Sequence, residues 1–122
     1  MQQNSTPKRI TRFQIWLANM DKVRPVLIIS NNRQSGNPNF EYVTVIPMTS
    51  TMKHLRFNEI VFIERKETTS RLPFEYFYYG VVNIHQMRVL DKSALIRYVG
   101  RVKSREKIEL LNKNIKKYLG LK

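Results

Sequence analysis

The sequence predicts a mainly β fold, a small and strongly bent barrel of about six short strands closed by a C-terminal helix. Three observations predict it. Short apolar runs rich in Val, Ile, Phe and Tyr recur as far as Val102, each bounded by Gly, Pro, Asn, Asp or Ser. The apolar period then lengthens: Ile108, Leu111, Ile115 and Tyr118 fall three and four residues apart, as on one face of a helix. Finally, 122 residues, 42% of them apolar and without internal repeat, are enough for one core and one domain.

Taken in order, residues 1–10 are polar and basic and read as a flexible arm, leaving residues 11–122 as the single domain. Phe13 to Ala18 alternates as a first strand, with Phe13, Ile15 and Leu17 on one face. Asn19 to Val23 is a short turn. Arg24-Pro25-Val26-Leu27-Ile28-Ile29 is too short and too β-branched for a helix, and Pro25 suits a strand start. Asn31 to Asn39, with Asn-Asn, Ser-Gly and Asn-Pro-Asn, reads as a loop. Tyr42 to Ile46 is a third strand, with Pro47 marking an edge, a bulge or its end. Phe57 to Ile63 is a fourth, and the polar stretch Lys66 to Leu72 has room for one helical turn. Tyr76 to Ile84 is an aromatic strand in which Gly80 can host a bulge. Met87 to Leu90 continues the sheet, Asp91-Lys92-Ser93 turns, and Ile96 to Val102 is the last strand. Arg105 to Leu119 is the amphipathic helix, with Ser104 as N-cap and Gly120 as its stop.

Charge points to a partner class. Twenty-two Lys and Arg against nine Asp and Glu give a net charge of +13, a field that attracts polyanions, nucleic acid first among them. The absence of cysteine removes disulfides, thiolate zinc sites and thiol nucleophiles. His54 and His85 stand far apart without an i, i+4 partner, and the four glycines form no phosphate-binding loop, so neither a metal nor a cofactor is implied. No apolar stretch approaches the roughly 18 residues of a membrane span, and Met1 to Thr6 is too polar for a signal-peptide core. The expected setting is cytoplasmic, with no membrane contact.

The remaining chemistry gathers at strand ends. Arg24 opens the second strand, Thr49-Ser50-Thr51 follows the third, and His85-Gln86-Met87-Arg88 follows the fifth. In a small barrel such ends can converge. An Arg, a hydroxyl and an imidazole suit attack of an RNA 2′-hydroxyl on its own 3′-phosphate, which needs charge stabilisation on the phosphate oxygens and a proton acceptor. Arg24 can equally cap the hairpin and pair with Asp21, and the residues leave both open.

Four blocks, Arg24 to Ile29, Val45-Ile46-Pro47-Met48-Thr49-Ser50, His85 to Ser93 and Tyr118-Leu119-Gly120-Leu121, resemble the MazF/PemK toxins in order and spacing. The resemblance implies an SH3-like barrel with a C-terminal helix, a homodimer, and a ribosome-independent endoribonuclease that cuts single-stranded mRNA without metal. It also implies a cognate acidic antitoxin. By position, Arg24 resembles the Arg that stabilises the phosphate in the transition state, and Thr49 the hydroxyl that hydrogen-bonds the scissile phosphate. Gln86 and Arg88 match the family's Gln-x-Arg block; with Ser50 and Lys22 they are the expected RNA-binding residues. The structural alternatives are that Gln86 ties two strands together and that Arg88 pairs with Asp91.

The chain also departs from that pattern. Arg12-Phe13-Gln14 stands where the family has Arg-Gly-Asp or Arg-Gly-Glu. The Gly-rich loop before the Arg-Pro pair is cut to Asp21-Lys22-Val23, and an expected Asp-Ser pair is replaced by Gly80-Val81-Val82. His85 stands where a carboxylate is common. Histidine as a residue type exchanges protons near neutral pH, so His85 is a candidate general base, with a strand-end surface residue as the alternative. Two other functions fit the same fold: a basic nucleic-acid-binding barrel without cleavage, and a gyrase-targeting toxin of the CcdB branch, which lacks the Arg-Pro and Pro-x-Thr-Ser blocks.

Overall fold

The computed structural model describes residues 7, 9–49, 60–69 and 80–121. Among them are seven strands: β1 (Gln14–Asn19), β2 (Val23–Ile28), β3 (Tyr42–Thr49), β4 (Ile60–Ile63), β5 (Gly80–Asn83), β6 (Arg88–Asp91) and β7 (Leu95–Arg101). They pair antiparallel in the order β4-β5-β3-β2-β1-β7, with β6 also on β3. The expected starts of β4 at Phe57 and of β5 at Tyr76, together with Ser50, Thr51 and His54, lie outside the described residues.

The sheet closes on itself. β4 and β7 stand at opposite ends of the strand order, yet Thr68, just past β4, bridges Val102, just past β7. Thr69 N–H donates to the Arg101 carbonyl at 2.9 Å, and Lys103 N–H donates to the Glu67 carbonyl at 2.8 Å. These bonds tie the segment after β4 to the end of β7, so the two ends of the sheet meet at that corner.

Period-two alternation sorts the strands' side chains onto two faces. Ile15, Leu17, Leu27, Ile46, Met48, Val61, Ile63 and Val82 share one cluster, against which Ile108, Leu111 and Ile115 of the C-terminal helix pack. Trp16, Ala18, Val26, Ile28, Val43 and Val45 form a second cluster on the other face, covered by Ile10, Met20, Leu90, Leu95 and Tyr98. Both faces are buried at the centre of the sheet, which is why Val26 to Ile28 is an unbroken apolar run.

The helix α2 (Arg105–Leu119) has the boundaries its periodicity predicts. The Ser104 side chain accepts from Lys107 N–H at 3.2 Å, and Gly120 ends the helix at φ 75°, a conformation that glycine takes without Cβ strain. Lys107 fixes the helix to the barrel: its ammonium pairs with Glu67 at 3.3 Å and donates to the Phe62 carbonyl.

Three expectations are amended. Within the expected loop 31–39, Asn32–Ser35 forms a helical turn, α1, because the Asn31 side chain accepts from Gln34 N–H at 2.8 Å. Pro47 does not end β3, which runs on to Thr49. Met87 to Leu90 continues the sheet as expected: after a 3₁₀ turn at Ile84–Gln86 redirects the chain, β6 pairs with β3. Tyr118 does not join Leu111 in the core: 42% of its surface is exposed.

Phe13 stands at φ 72°, the one non-glycine residue with positive φ among those described. It is buried, its N–H donates to the Ile28 carbonyl, and its carbonyl accepts from Val102 N–H at 3.0 Å. It therefore occupies, with a large side chain, a backbone conformation suited to the glycine found there in the resembling family.

Candidate functional site

β3 changes partners along one edge. Tyr42 to Val45 pairs with β6, and Met48 and Thr49 pair with β5, which leaves Ile46 and Pro47 between them. The connection from β5 to β6 spans this gap, so Gln86 and Arg88 arrive beside Pro47. On the other edge β2 pairs Val26 with Pro47. Arg24 stands two residues before Val26 on β2, and Thr49 two residues after Pro47 on β3. These elements enclose a cavity of about 220 Å³ lined by Arg24, Pro47, Thr49, Val81, Asn83, Gln86 and Arg88.

Two guanidinium-bearing residues, a hydroxyl and two amides thus share one concave surface, and the described lining contains no carboxylate. Arg24 makes the pair with Asp21 that its sequence position allows and also lines the cavity. Its Nη2 donates to Asp21 Oδ1 at 3.2 Å and Oδ2 at 3.4 Å, forming an ion pair with a carboxylate that is 77% exposed. Its Nε is buried and has no hydrogen-bond partner among the described residues. A buried donor left unpaired costs about 1–3 kcal/mol. An anion that accepts from Nε would recover that energy, and the planar fork of Arg suits phosphate oxygens.

Of the other expected site residues, the structure brings Thr49, Gln86 and Arg88 into the lining with Arg24. Arg88 makes no ion pair with Asp91; that carboxylate accepts from Ser93 N–H at 2.9 Å, and this bond holds its pKa below the ordinary carboxylate value. Lys22 is exposed on the β1–β2 turn, where its N–H donates to Asp21 Oδ1 at 3.0 Å, outside the lining. Ser50 lies outside the described residues. His85 is also outside the lining. Successive residues of a 3₁₀ turn point about 120° apart. Accordingly Ile84 enters the core, Gln86 meets the cavity, and His85 packs edge-on against Tyr118.

Sequence reasoning missed Asn83 and Val81. Asn83 shapes the site by accepting from His85 N–H at 3.0 Å, which starts the turn that swings Gln86 inward. An Asn directly before the turn was the available signal, since Asn is a favoured N-cap. Among the described residues no three His, Cys, Asp or Glu side chains lie together as a metal set, and no helix is long and apolar enough to cross a membrane.

A family model described as a PemK-like, MazF-like toxin of type II toxin–antitoxin systems matches residues 11–119. Comparison with curated protein sequences finds no match. Among solved structures, an endoribonuclease in complex with its cognate antitoxin, from a mycobacterial species, is similar with a TM-score of 0.72 at 24% identity, over 93% of this chain and 97% of that one. An endoribonuclease of a mycobacterial species gives a TM-score of 0.70 at 23% identity, over 93% of both chains. A MazE–MazF structure (Form-I) from Deinococcus radiodurans gives 0.71 at 17% identity, over 94% of this chain and 100% of that one. At these identities the structural likeness establishes the barrel-and-helix fold.

Proposed function

This chain belongs to the PemK-like, MazF-like toxins of type II toxin–antitoxin systems, and we propose that it is an endoribonuclease that cleaves single-stranded mRNA without a metal ion. The observation that carries the proposal is the cavity itself, in which the buried Nε of Arg24, without a hydrogen-bond partner among the described residues, shares a wall with Thr49, Gln86 and Arg88. In the proposed reaction the 2′-hydroxyl oxygen attacks the adjacent phosphorus and the bond to the 5′-oxygen breaks. The products are a 2′,3′-cyclic phosphate and a 5′-hydroxyl. Arg24 stabilises the charge that grows on the non-bridging oxygens, and the Thr49 hydroxyl donates to one of them. Arg88 and Gln86 hold the flanking strand, and the net charge of +13 speeds encounter with RNA. Solvent takes the 2′-hydroxyl proton and returns one to the departing 5′-oxygen. His85, turned toward Tyr118, takes part only if its ring leaves that contact.

The same membership supports a cytoplasmic homodimer held inactive by a cognate acidic antitoxin, as the structurally similar mycobacterial endoribonuclease is found with its own antitoxin. Incubation of the purified protein with a long single-stranded RNA in excess chelator tests the activity. Discrete fragments with 5′-hydroxyl ends are expected. Salt-sensitive binding without products would instead make this a nucleic-acid-binding barrel.

A further inference from the structure

Neither the core nor the cavity accounts for the placement of Tyr118 and His85. By spacing Tyr118 belongs to the apolar stripe of α2, yet it is exposed where Leu111 is buried and Ile108 and Ile115 pack on the core. Its ring meets His85 edge to face, with centroids 5.0 Å apart and planes at 80°. His85 is exposed too, and it adjoins Gln86 of the cavity wall, consecutive Cα atoms being about 3.8 Å apart. Tyr118 is exposed, and in a T-shaped pair its ring keeps at least one face that His85 does not cover.

The surroundings suit a polyanion. From Leu110 to Lys122 the chain carries Lys113, Lys116, Lys117 and Lys122 and no acidic residue, and Lys116 and Lys117 are exposed in the turn that ends in Tyr118. Aromatic faces beside a cationic surface are how proteins hold unpaired nucleobases, because every base has a π-face to stack. We propose that the His85–Tyr118 pair is a stacking platform for an unpaired base of the RNA strand whose phosphate occupies the Arg24 cavity. This rests on the endoribonuclease function and adds a binding subsite to it. The C-terminal helix thereby becomes part of the substrate surface.

The test uses the full chain and an RNA oligonucleotide containing the mapped cut site. The scissile nucleotide carries a 2′-deoxyribose to block cleavage, and 2-aminopurine is placed in turn at each flanking position. With wild-type protein, fluorescence at one flanking position should be quenched by stacking. Tyr118→Ala should abolish that quenching and raise Kd roughly 5- to 100-fold. Tyr118→Phe, which keeps the ring, should preserve both, and sedimentation should give all three proteins the same oligomeric state. Wild-type affinity in Tyr118→Ala, with RNA cleavage by the wild type intact, would overturn the platform alone. A loss of affinity that tracks a change of oligomeric state would also overturn it and assign the pair to an interface between copies. Wild-type protein that cleaves no RNA would overturn the endoribonuclease function and the platform with it.

Discussion

Phe13→Gly should leave the protein more stable than Phe13→Ala, the reverse of the order expected at an ordinary position. Both variants lose a side chain that is only 6% exposed and packs with Ile15, Leu17 and Leu27. Deleting a buried Phe costs about 3–5 kcal/mol. They differ in the backbone. At a negative φ, glycine is the weaker residue by roughly 0.5–1 kcal/mol, because it has more freedom to lose. At φ 72° alanine keeps the strain of a left-handed conformation, about 1–2 kcal/mol, and glycine does not. The difference should favour glycine by about 1 kcal/mol. With a urea dependence of about 2 kcal/mol per molar, the Gly midpoint should lie roughly 0.5 M above the Ala midpoint. Equilibrium urea unfolding followed by Trp16 fluorescence measures it. An alanine variant as stable as the glycine variant, or more so, would refute the claim that the backbone here is strained.

Three further outcomes follow from the site and its supports. Thr49→Val should lower turnover by roughly 100-fold or more, as expected for losing one donor to the developing charge, while a thermal melt shifts by only a few degrees; a large melting shift with normal turnover would make the hydroxyl structural. Lys107→Met should destabilise the fold by about 1–3 kcal/mol, since the ammonium bonds the Phe62 carbonyl and pairs with the half-buried Glu67, and chemical denaturation checks this. His85→Gln should raise KM and leave the pH profile of kcat between about pH 5 and 8 as in the wild type, because the ring faces Tyr118 and not the cavity; a rate that rises with pH in the wild type but not in the variant would put the imidazole into proton transfer.

The strands were legible wherever a run had one period and clear bounds. Val26 to Ile28 shows why: three apolar residues buried on both faces of a sheet leave no helical alternative of that length. The helix was legible to the residue because a cap at Ser104 and a left-handed glycine at 120 punctuate it. What pattern could not supply is partner exchange. In one dimension Pro47 reads as an edge, a bulge or an end; in three it falls where β3 passes from β6 to β5, and the cavity lies at that gap. Arg24, Thr49, Gln86 and Arg88 were visible as residue types at strand ends. Their convergence depends on that long-range pairing, and Asn83, which aims the turn, carries no periodic signal. The exposure of Tyr118 escapes the pattern for a similar reason. Spacing gives a helix face, whereas burial depends on how far the barrel extends beneath it.

The central claim is that Arg24 acts on the phosphate and is not merely a hairpin clasp for Asp21. Single-turnover cleavage of a single-stranded RNA in chelator, comparing wild type with Arg24→Ala, tests it most directly. The ion pair with Asp21 is solvent-exposed and contributes no more than about 1 kcal/mol, so the variant should melt within about 4 °C of wild type. Its cleavage rate should fall by roughly 100- to 1000-fold. A folded Arg24→Ala protein that cuts RNA at the wild-type rate would contradict the account.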